Sequence, residues 1–173
     1  MYNNWRYDLN DSVIALESIK DTYMPKVING KIHTIENTDN EILILLDVKS
    51  GVDYIREDAN GLQGIAARVQ WGKAWDTFTI RTARHTGTET ELEKRLYQIE
   101  NGYFYPAFTL QAYFDDRNNN NLLSLGIIKT IDLYKLFTNE SHLFTKRKSD
   151  NEFVFVNWTD IADKMKIVKT QIQ

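Results

Sequence analysis

The sequence predicts an α+β or mixed α/β fold in a single domain, with a central mixed β-sheet flanked by helices. Its 173 residues are enough for one hydrophobic core and few for two. Segments in which apolar and polar residues alternate are interleaved with segments of helical spacing. Two Pro and eight Gly leave little material for linkers. We therefore expect residues 1–173 to form one domain.

The N-terminal part predicts one helix followed by a buried strand. Asp11 is a suitable N-cap, and Leu16 and Ile19 lie on one side of the helix that follows it. This helix must end near Pro25, because Pro lacks a backbone donor and restricts the residue before it. The continuous apolar run at 42–47 has the length of a buried strand.

The middle of the chain predicts a meander of three strands. A strand begins at 52, and Asn60 followed by Gly61 is a strong hairpin signal. Beyond this turn, residues 65–71 alternate between apolar and polar side chains. Residues 77–81 alternate again and predict the third strand, with Arg81 on its polar face.

The second half predicts further strands and helices in alternation. Thr88 and Glu91 have the spacing of a capping box, and Asn101 with Gly102 closes the helix that they begin. Four more patterns predict a hairpin of strands at 108–114 and 122–130, a helix at 130–137, a strand at 152–158 and a terminal helix at 159–168.

Composition excludes several classes of function. The chain has no cysteine, which removes disulfide frameworks, thiolate metal sites and cysteine nucleophiles. No apolar run reaches the roughly 18 residues of a membrane span. The N-terminus lacks the charged-then-apolar pattern of a secretory signal. A cytoplasmic location without membrane contact is therefore the default expectation.

In the first 100 positions, an acid on a predicted helix, an acid at a strand start and two polar residues on the next strand occur in that order. Glu17 lies on a predicted helix, and Asp53 is the last residue of the sequence Gly-Val-Asp at the start of a predicted strand. Arg68 and Gln70 lie on the next strand. This order resembles the PD-(D/E)XK nuclease superfamily, in particular its Holliday-junction-resolvase-like branch. The resemblance implies that Glu17 and Asp53 bind Mg²⁺ and that the protein hydrolyses phosphodiester bonds.

The pattern departs from that family at the second acid and at the lysine. Arg68 stands at the acid position and Gln70 at the lysine position, and an arginine cannot bind a cation. A shifted match puts Gln70 at the acid position as a neutral ligand, with Lys73 supplying the positive charge. The catalytic candidates are Asp53, Glu17, Gln70 and Lys73, in a site that is either a variant or inactive.

Basic and aromatic residues are interleaved between 64 and 87. This segment has four cationic side chains against one acid, Asp76, in a protein of net charge −3. Three aromatic side chains, at 71, 75 and 78, lie among them, and this combination suits phosphate contact with base stacking. A second basic group follows at 146–148, in a predicted loop. The predicted nucleic-acid contacts are Arg68, Arg81, Arg84, Lys94 and Arg95.

Two functions remain open on these residues. The first is a nuclease-like, Mg²⁺-dependent protein that acts on nucleic acid, DNA more than RNA, and that could form a homodimer. The second is a non-catalytic nucleic-acid-binding or protein-interaction module of a mobile element or phage, whose sheet presents Arg68, Arg81 and aromatic residues without a metal. The missing second carboxylate favours the second function. Convergence of Glu17, Asp53 and Gln70 would favour the first.

Overall fold

Two β-sheets, of six and three strands, organise the chain in this computed structural model, which describes residues 5–35, 40–84, 86–148 and 151–170. The helices are α1 (Trp5–Lys20), α2 (Met24–Val27), α3 (Glu41–Leu45), α4 (Glu91–Glu100) and α5 (Thr130–Asn139). A π-helical turn spans Leu46–Ser50, and 3₁₀ turns span Ser141–Leu143 and Trp158–Lys164. The strands are β1 (Lys31–Thr34), β2 (Tyr54–Asp58), β3 (Gly61–Trp71), β4 (Thr77–Arg84), β5 (Phe108–Phe114), β6 (Leu122–Lys129), β7 (Thr145–Lys148), β8 (Asn151–Asn157) and β9 (Met165–Lys169).

The larger sheet is mixed, as the sequence predicts. Its order is β1-β2-β3-β5-β6-β9, and β3 and β5 form its parallel pair while the other neighbours are antiparallel. The parallel pair is possible because β4 and α4 lie between β3 and β5 in sequence and provide the long connection that such a pair requires. The smaller sheet, β4-β8-β7, is antiparallel throughout. The mixed α+β class is confirmed.

Both faces of the larger sheet are covered. On one face, Leu16 and Ile19 of α1 pack against Tyr54 and Leu110. On the other face, Tyr113 packs in a second cluster together with side chains of β4, β8 and α5. Alternation along β5 therefore sends successive side chains to two different cores. The larger sheet is the middle layer, with α1 and α2 on one side and the smaller sheet, α4 and α5 on the other.

Several local predictions are confirmed. The Asn60–Gly61 hairpin joins β2 to β3, and Asp58 pairs with Gly61. The backbone of Gly61 has a φ of 117°, which glycine adopts readily because it has no side chain. The hairpin of β5 and β6 and the helix α5 also form. The first helix ends before Pro25, but it begins at Trp5, so Asp11 lies inside it instead of capping it. Among the described helices, none has the length and apolar character needed to span a membrane.

The apolar run at 42–47 is helical, and the predicted strand there is wrong. The side chain of Asn40 accepts hydrogen bonds from the backbone N–H groups of Ile42 (3.0 Å) and Leu43 (3.4 Å), which starts α3 as a helix. Ile42 is 70 % exposed and Leu45 is 55 % exposed, so this run is not buried. An apolar run of this length does not distinguish a strand from a helix, and the N-cap decides between them.

The strand predicted at 77–81 forms, but it does not join the meander. β4 pairs with β8 in the smaller sheet, and the place beside β3 is taken by β5. The chain leaves the larger sheet at Gly72 (φ 93°) and changes direction again at Asp76 (φ 49°). These two left-handed residues prevent the simple hairpin that would have placed β4 next to β3.

Three other boundaries differ from the prediction. The capping box before α4 is formed by Thr90 and Glu93, two residues after the predicted pair, and Glu91 is free to bind elsewhere. The predicted terminal helix is a 3₁₀ turn followed by β9, because β9 supplies the outer partner of β6. The basic group at 146–148 belongs to strand β7, not to a loop.

Candidate nucleic-acid interface

A cavity of about 780 Å³ is lined by side chains from both sheets. Its floor is the outer face of the smaller sheet, because Phe78 and Ile80 of β4 point into the core while Thr79 and Arg81 alternate to the opposite side. Arg68 and Gln70 of β3 line the facing wall. Polar side chains of β3 and of β4 therefore line the same cavity, which we call the basic cleft.

The strand register places cations and aromatic rings in a row across the floor of the basic cleft. Arg81 of β4 pairs with Phe153 of β8, which pairs in turn with Arg147 of β7. The guanidinium carbon of Arg81 lies 5.2 Å from the centroid of the Phe153 ring. At the cleft's entrance, Lys73 Nζ lies 4.4 Å from the ring centroid of Trp75, which is 54 % exposed. Both contacts are within the range of cation–π interactions.

The charge of the basic cleft is of one sign. Its cationic lining residues are Arg68, Arg81, Lys146 and Arg147, and its aromatic ones are Trp75, Phe153 and Phe155. Among the described residues that line it there is no carboxylate. A concentration of four cations in a protein of net charge −3 indicates a surface that attracts anions.

Arg81 is a half-buried cation of this cleft. Its Nε is buried and has no hydrogen-bond partner in the described part of the chain. Burial lowers the pKa of Arg81 below its ordinary value, and the neighbouring charges of Arg68 and Arg84 lower it further, while Glu91 opposes them. An unsatisfied donor and mutually repelling guanidinium groups are both relieved when an anion binds among them.

Asp76 follows Trp75 in the chain and is held by three hydrogen bonds. Its carboxylate accepts hydrogen bonds from Ser124 Oγ (2.7 Å) and from Lys169 Nζ (2.5 Å). Its backbone carbonyl accepts the N–H of Trp158 at 2.8 Å. These three bonds connect the start of β4 to β6, to β9 and to the 3₁₀ turn, and they hold the left-handed backbone of Asp76 in place.

A second cavity of about 310 Å³ adjoins the basic cleft, and we call it the inner pocket. Arg68 and Thr79 line both cavities. The guanidinium of Arg68 donates to the backbone carbonyl of Thr79 at 2.8 Å and to the carboxylate of Glu91. Arg68 therefore stands at the boundary, held by one partner from β4 and one from α4.

The inner pocket contains Asp53 and most of the predicted basic contacts. Asp53 Oδ2 accepts a hydrogen bond from the backbone N–H of Ala67 at 2.5 Å. Asp53 directly precedes β2, so its carboxylate gives this N–H of β3 a partner just before the start of β2. Lys94 Nζ donates to the carbonyl of Val48 at 2.7 Å, and Arg95 donates to the carbonyl of Ser50 at 2.7 Å. Arg95 is only 3 % exposed, so both cations anchor the π-helical turn to α4.

Glu17 lies away from both cavities. It belongs to α1, on the opposite face of the larger sheet, where Lys20 Nζ donates to it at 2.5 Å and Thr34 Oγ1 donates to its other oxygen. Burial opposes the ionisation of Glu17, but the two hydrogen bonds and the charge of Lys20 outweigh burial, and its pKa is below the ordinary value. These contacts describe a carboxylate satisfied by its own neighbours.

The structure thus brings together most of the predicted site residues, but in a different grouping. Asp53, Arg68, Arg84, Lys94 and Arg95 line the inner pocket, and Arg68, Gln70 and Arg81 line the basic cleft. Lys73 contacts Trp75 at the cleft's entrance. Glu17 does not join Asp53, and the described residues contain no group of three or more His, Asp or Glu side chains placed to hold a metal ion. The ligand set that the nuclease resemblance implies is not assembled by these residues, and Mg²⁺ binding stays a prediction.

Sequence reasoning missed the residues that β8 and β5 contribute, and it noted the basic group of β7 without placing it in the site. Alternation within 152–158 could have shown that Phe153 and Phe155 share a face, and the basic group at 146–148 was visible. Their approach to Arg81 depends on pairing across some 70 residues of chain, which no local pattern reports. Gln111 of the inner pocket carries no sequence signal, because it is one polar residue in a buried strand.

Comparisons with protein-family models, with curated proteins and with solved structures find no significant match to this chain. The assignment of a function therefore depends on the geometry and charge of the two cavities.

Proposed function

We propose that this protein binds single-stranded nucleic acid in the basic cleft, as a binding module that needs no metal. The observation that carries the proposal is the lining of the cleft, which combines four cations with three aromatic side chains and has no carboxylate among its described residues. Cations that follow the backbone and rings that stack on bases are the two components of sequence-tolerant single-strand binding.

The dimensions of the floor support a strand as the ligand. The four steps from Thr77 to Arg81 cover about 13 Å at roughly 3.3 Å per strand residue. Trp75 and Lys73 extend the surface beyond Thr77. At about 3.4 Å per stacked nucleotide, this floor accommodates roughly four nucleotides. That length is at the lower end of the roughly 4–16 nucleotides that one such binding fold covers.

A single strand fits this cleft better than a duplex does. The rings of Phe153 and Phe155 are half-buried on the floor of the cleft, and Trp75 stands at the entrance. Bases reach such rings only when they are unpaired, because paired bases offer their faces to one another inside the helix. Arg81, whose guanidinium lies over the Phe153 ring, provides a flat cationic surface on which a base can also stack.

Hydrolysis is the second candidate, and it depends on Asp53. The observation in its favour is that Asp53 opens into the inner pocket beside the cleft that would bind the substrate. Against it, Arg68, Arg84, Lys94 and Arg95 line the same pocket, and their four positive charges oppose the binding of Mg²⁺ at Asp53. Binding therefore ranks above cleavage.

Fluorescence anisotropy with labelled oligonucleotides of about 12 nucleotides, within the site sizes known for one binding fold, tests the proposal. We expect the wild-type protein to bind single-stranded DNA and RNA more tightly than a duplex of the same sequence. The double variant Arg81→Ala/Arg147→Ala should bind the single strands at least tenfold more weakly, since each charged contact is worth about 1 kcal/mol or more.

A matched control removes the same charge elsewhere. Lys31 of β1 and Lys135 of α5 are exposed, and neither of them lines the basic cleft or the inner pocket. The variant Lys31→Ala/Lys135→Ala should bind as the wild type does. Equal losses in the two double variants would mean that only total charge matters, and a wild-type protein that binds no oligonucleotide would refute the proposal outright.

A further inference from the structure

The inner pocket contains a buried donor that the protein leaves unused. Gln111 is 1 % exposed, and its amide Nε2 has no hydrogen-bond partner within the described part of the chain. It lies on β5 in register with Arg68 of β3, so its side chain stands next to the residue that separates the two cavities. A buried donor without a partner destabilises a fold, and its presence in a pocket indicates a ligand with an acceptor atom.

The charges of the inner pocket differ in kind from those of the basic cleft. Four cations line it, but so do three carboxylates, Asp53, Glu89 and Glu91. A phosphate group would be attracted by some of these side chains and repelled by others. A neutral group that carries both donors and acceptors at its edge can bond to amide, carboxylate and guanidinium groups in the same pocket.

The size of the inner pocket narrows the class of ligand. Its volume of about 310 Å³ is at the lower limit of the roughly 300–1,000 Å³ usual for small-molecule sites. One planar heterocycle fits such a space, whereas a length of strand does not. The pocket adjoins the basic cleft through Arg68 and Thr79, so a group entering it can remain attached to a strand that lies on the cleft's floor.

We propose that the inner pocket takes one unstacked nucleobase of the strand bound in the basic cleft, with Gln111 Nε2 donating to an acceptor on the base edge. This inference rests on the proposed single-strand binding and adds a position at which the base, and not only the backbone, is read. Nucleobase edges carry both acceptors and donors, which matches the mixed lining of the pocket. Extrusion of a base is easiest in a single strand, where no pairing has to be broken.

The test compares single-stranded oligonucleotides of about five nucleotides, roughly the four that the floor accommodates and one for the inner pocket, so that the strand has essentially one register; one base at a time is replaced by an abasic site. For the wild-type protein, we expect one position at which the loss of the base weakens binding by roughly 5- to 100-fold, beyond the even effect of lost stacking at the others. In Gln111→Leu, this position-specific effect should disappear. Gln111→Leu should be at least as stable as the wild type, because it removes an unpartnered buried donor.

A second variant guards against an indirect effect of Gln111. Ala66 lines the inner pocket, and Ala66→Leu should fill it and remove the same position-specific effect. Ala59 is exposed in the turn between β2 and β3, and Ala59→Leu adds the same side chain without reaching the pocket, so it should behave as the wild type does. Normal binding of every abasic oligonucleotide would overturn the base pocket while the strand proposal stands. No binding of any oligonucleotide would overturn both.

Discussion

Removing cations from the basic cleft should change how strongly binding depends on salt. Of the four cations in its lining, Arg68 is already bonded to Glu91, which leaves Arg81, Lys146 and Arg147 for phosphates. Each phosphate contact on a single strand contributes about −0.7 to the slope of log affinity against log salt, so three contacts predict about −2.1. Between about 50 and about 200 mM salt, the wild-type affinity should therefore fall roughly 18-fold.

The variant Arg81→Ala/Arg147→Ala retains one of these contacts and should show a slope of about −0.7, which is a loss of only about threefold over the same salt range. The weakening should be similar for unrelated sequences, because phosphates carry no base identity. The measurement is a series of anisotropy titrations at several salt concentrations, with Lys31→Ala/Lys135→Ala as the control of unchanged slope. Parallel slopes for the wild type and the cleft variant would refute the assignment of these arginines as phosphate contacts.

Four further predictions follow from individual contacts. Trp75→Ala should weaken single-strand binding by about 1–3 kcal/mol, or roughly 5- to 150-fold, with little change in thermal stability since the ring is 54 % exposed; unchanged affinity would remove Trp75 from the interface. Gly126→Ala should lower the free energy of unfolding in urea by about 1–3 kcal/mol, because its new Cβ would lie 2.6 Å from the Trp158 ring. The wild type should be more stable than Glu17→Gln, and this difference in the free energy of unfolding should be complete above the ordinary glutamate pKa of about 4.3. It should disappear as the pH falls through the lowered pKa of folded Glu17. Urea unfolding at several pH values measures it. Any Mg²⁺- or Mn²⁺-dependent nicking by the wild type should be abolished in Asp53→Ala; nicking that persists would exclude Asp53 as a metal ligand.

Local patterns predicted those elements whose cause is local. The turn at Asn60 and Gly61 and the alternation along β3 depend on residues within a few positions of one another, and both form as predicted. The run at 42–47 was misassigned because the preference for a strand assumed burial, and burial is decided by the rest of the fold. The C-terminal strand β9 was missed for a related reason, since its partner is β6, some 40 residues earlier in the chain.

The candidate site could be predicted in part. Arg68 and Arg81 were expected to share a surface, and they line the same cleft. The prediction that Glu17 would approach Asp53 depended on a helix packing on one particular face of the sheet. The apolar stripe of α1 packs on the other face, against Tyr54, and carries Glu17 with it. A sequence pattern gives the order of such residues but not the face of the sheet on which each one lies.

The basic cleft exists because β4 does not complete the meander. A third strand beside β3 would have continued the larger sheet, and the side chains of Arg68 and Arg81 would then have lain on one flat surface. The left-handed residues Gly72 and Asp76 instead lie where the chain leaves β3 for a strand of the second sheet, and polar side chains of β3 and β4 line one cavity. That change of sheet converts a flat basic surface into a concave one, and it also brings β7 and β8 with Arg147 and their aromatic rings to the same cavity. The irregular backbone between β3 and β4 is therefore the structural cause of the site in which we propose that a strand binds.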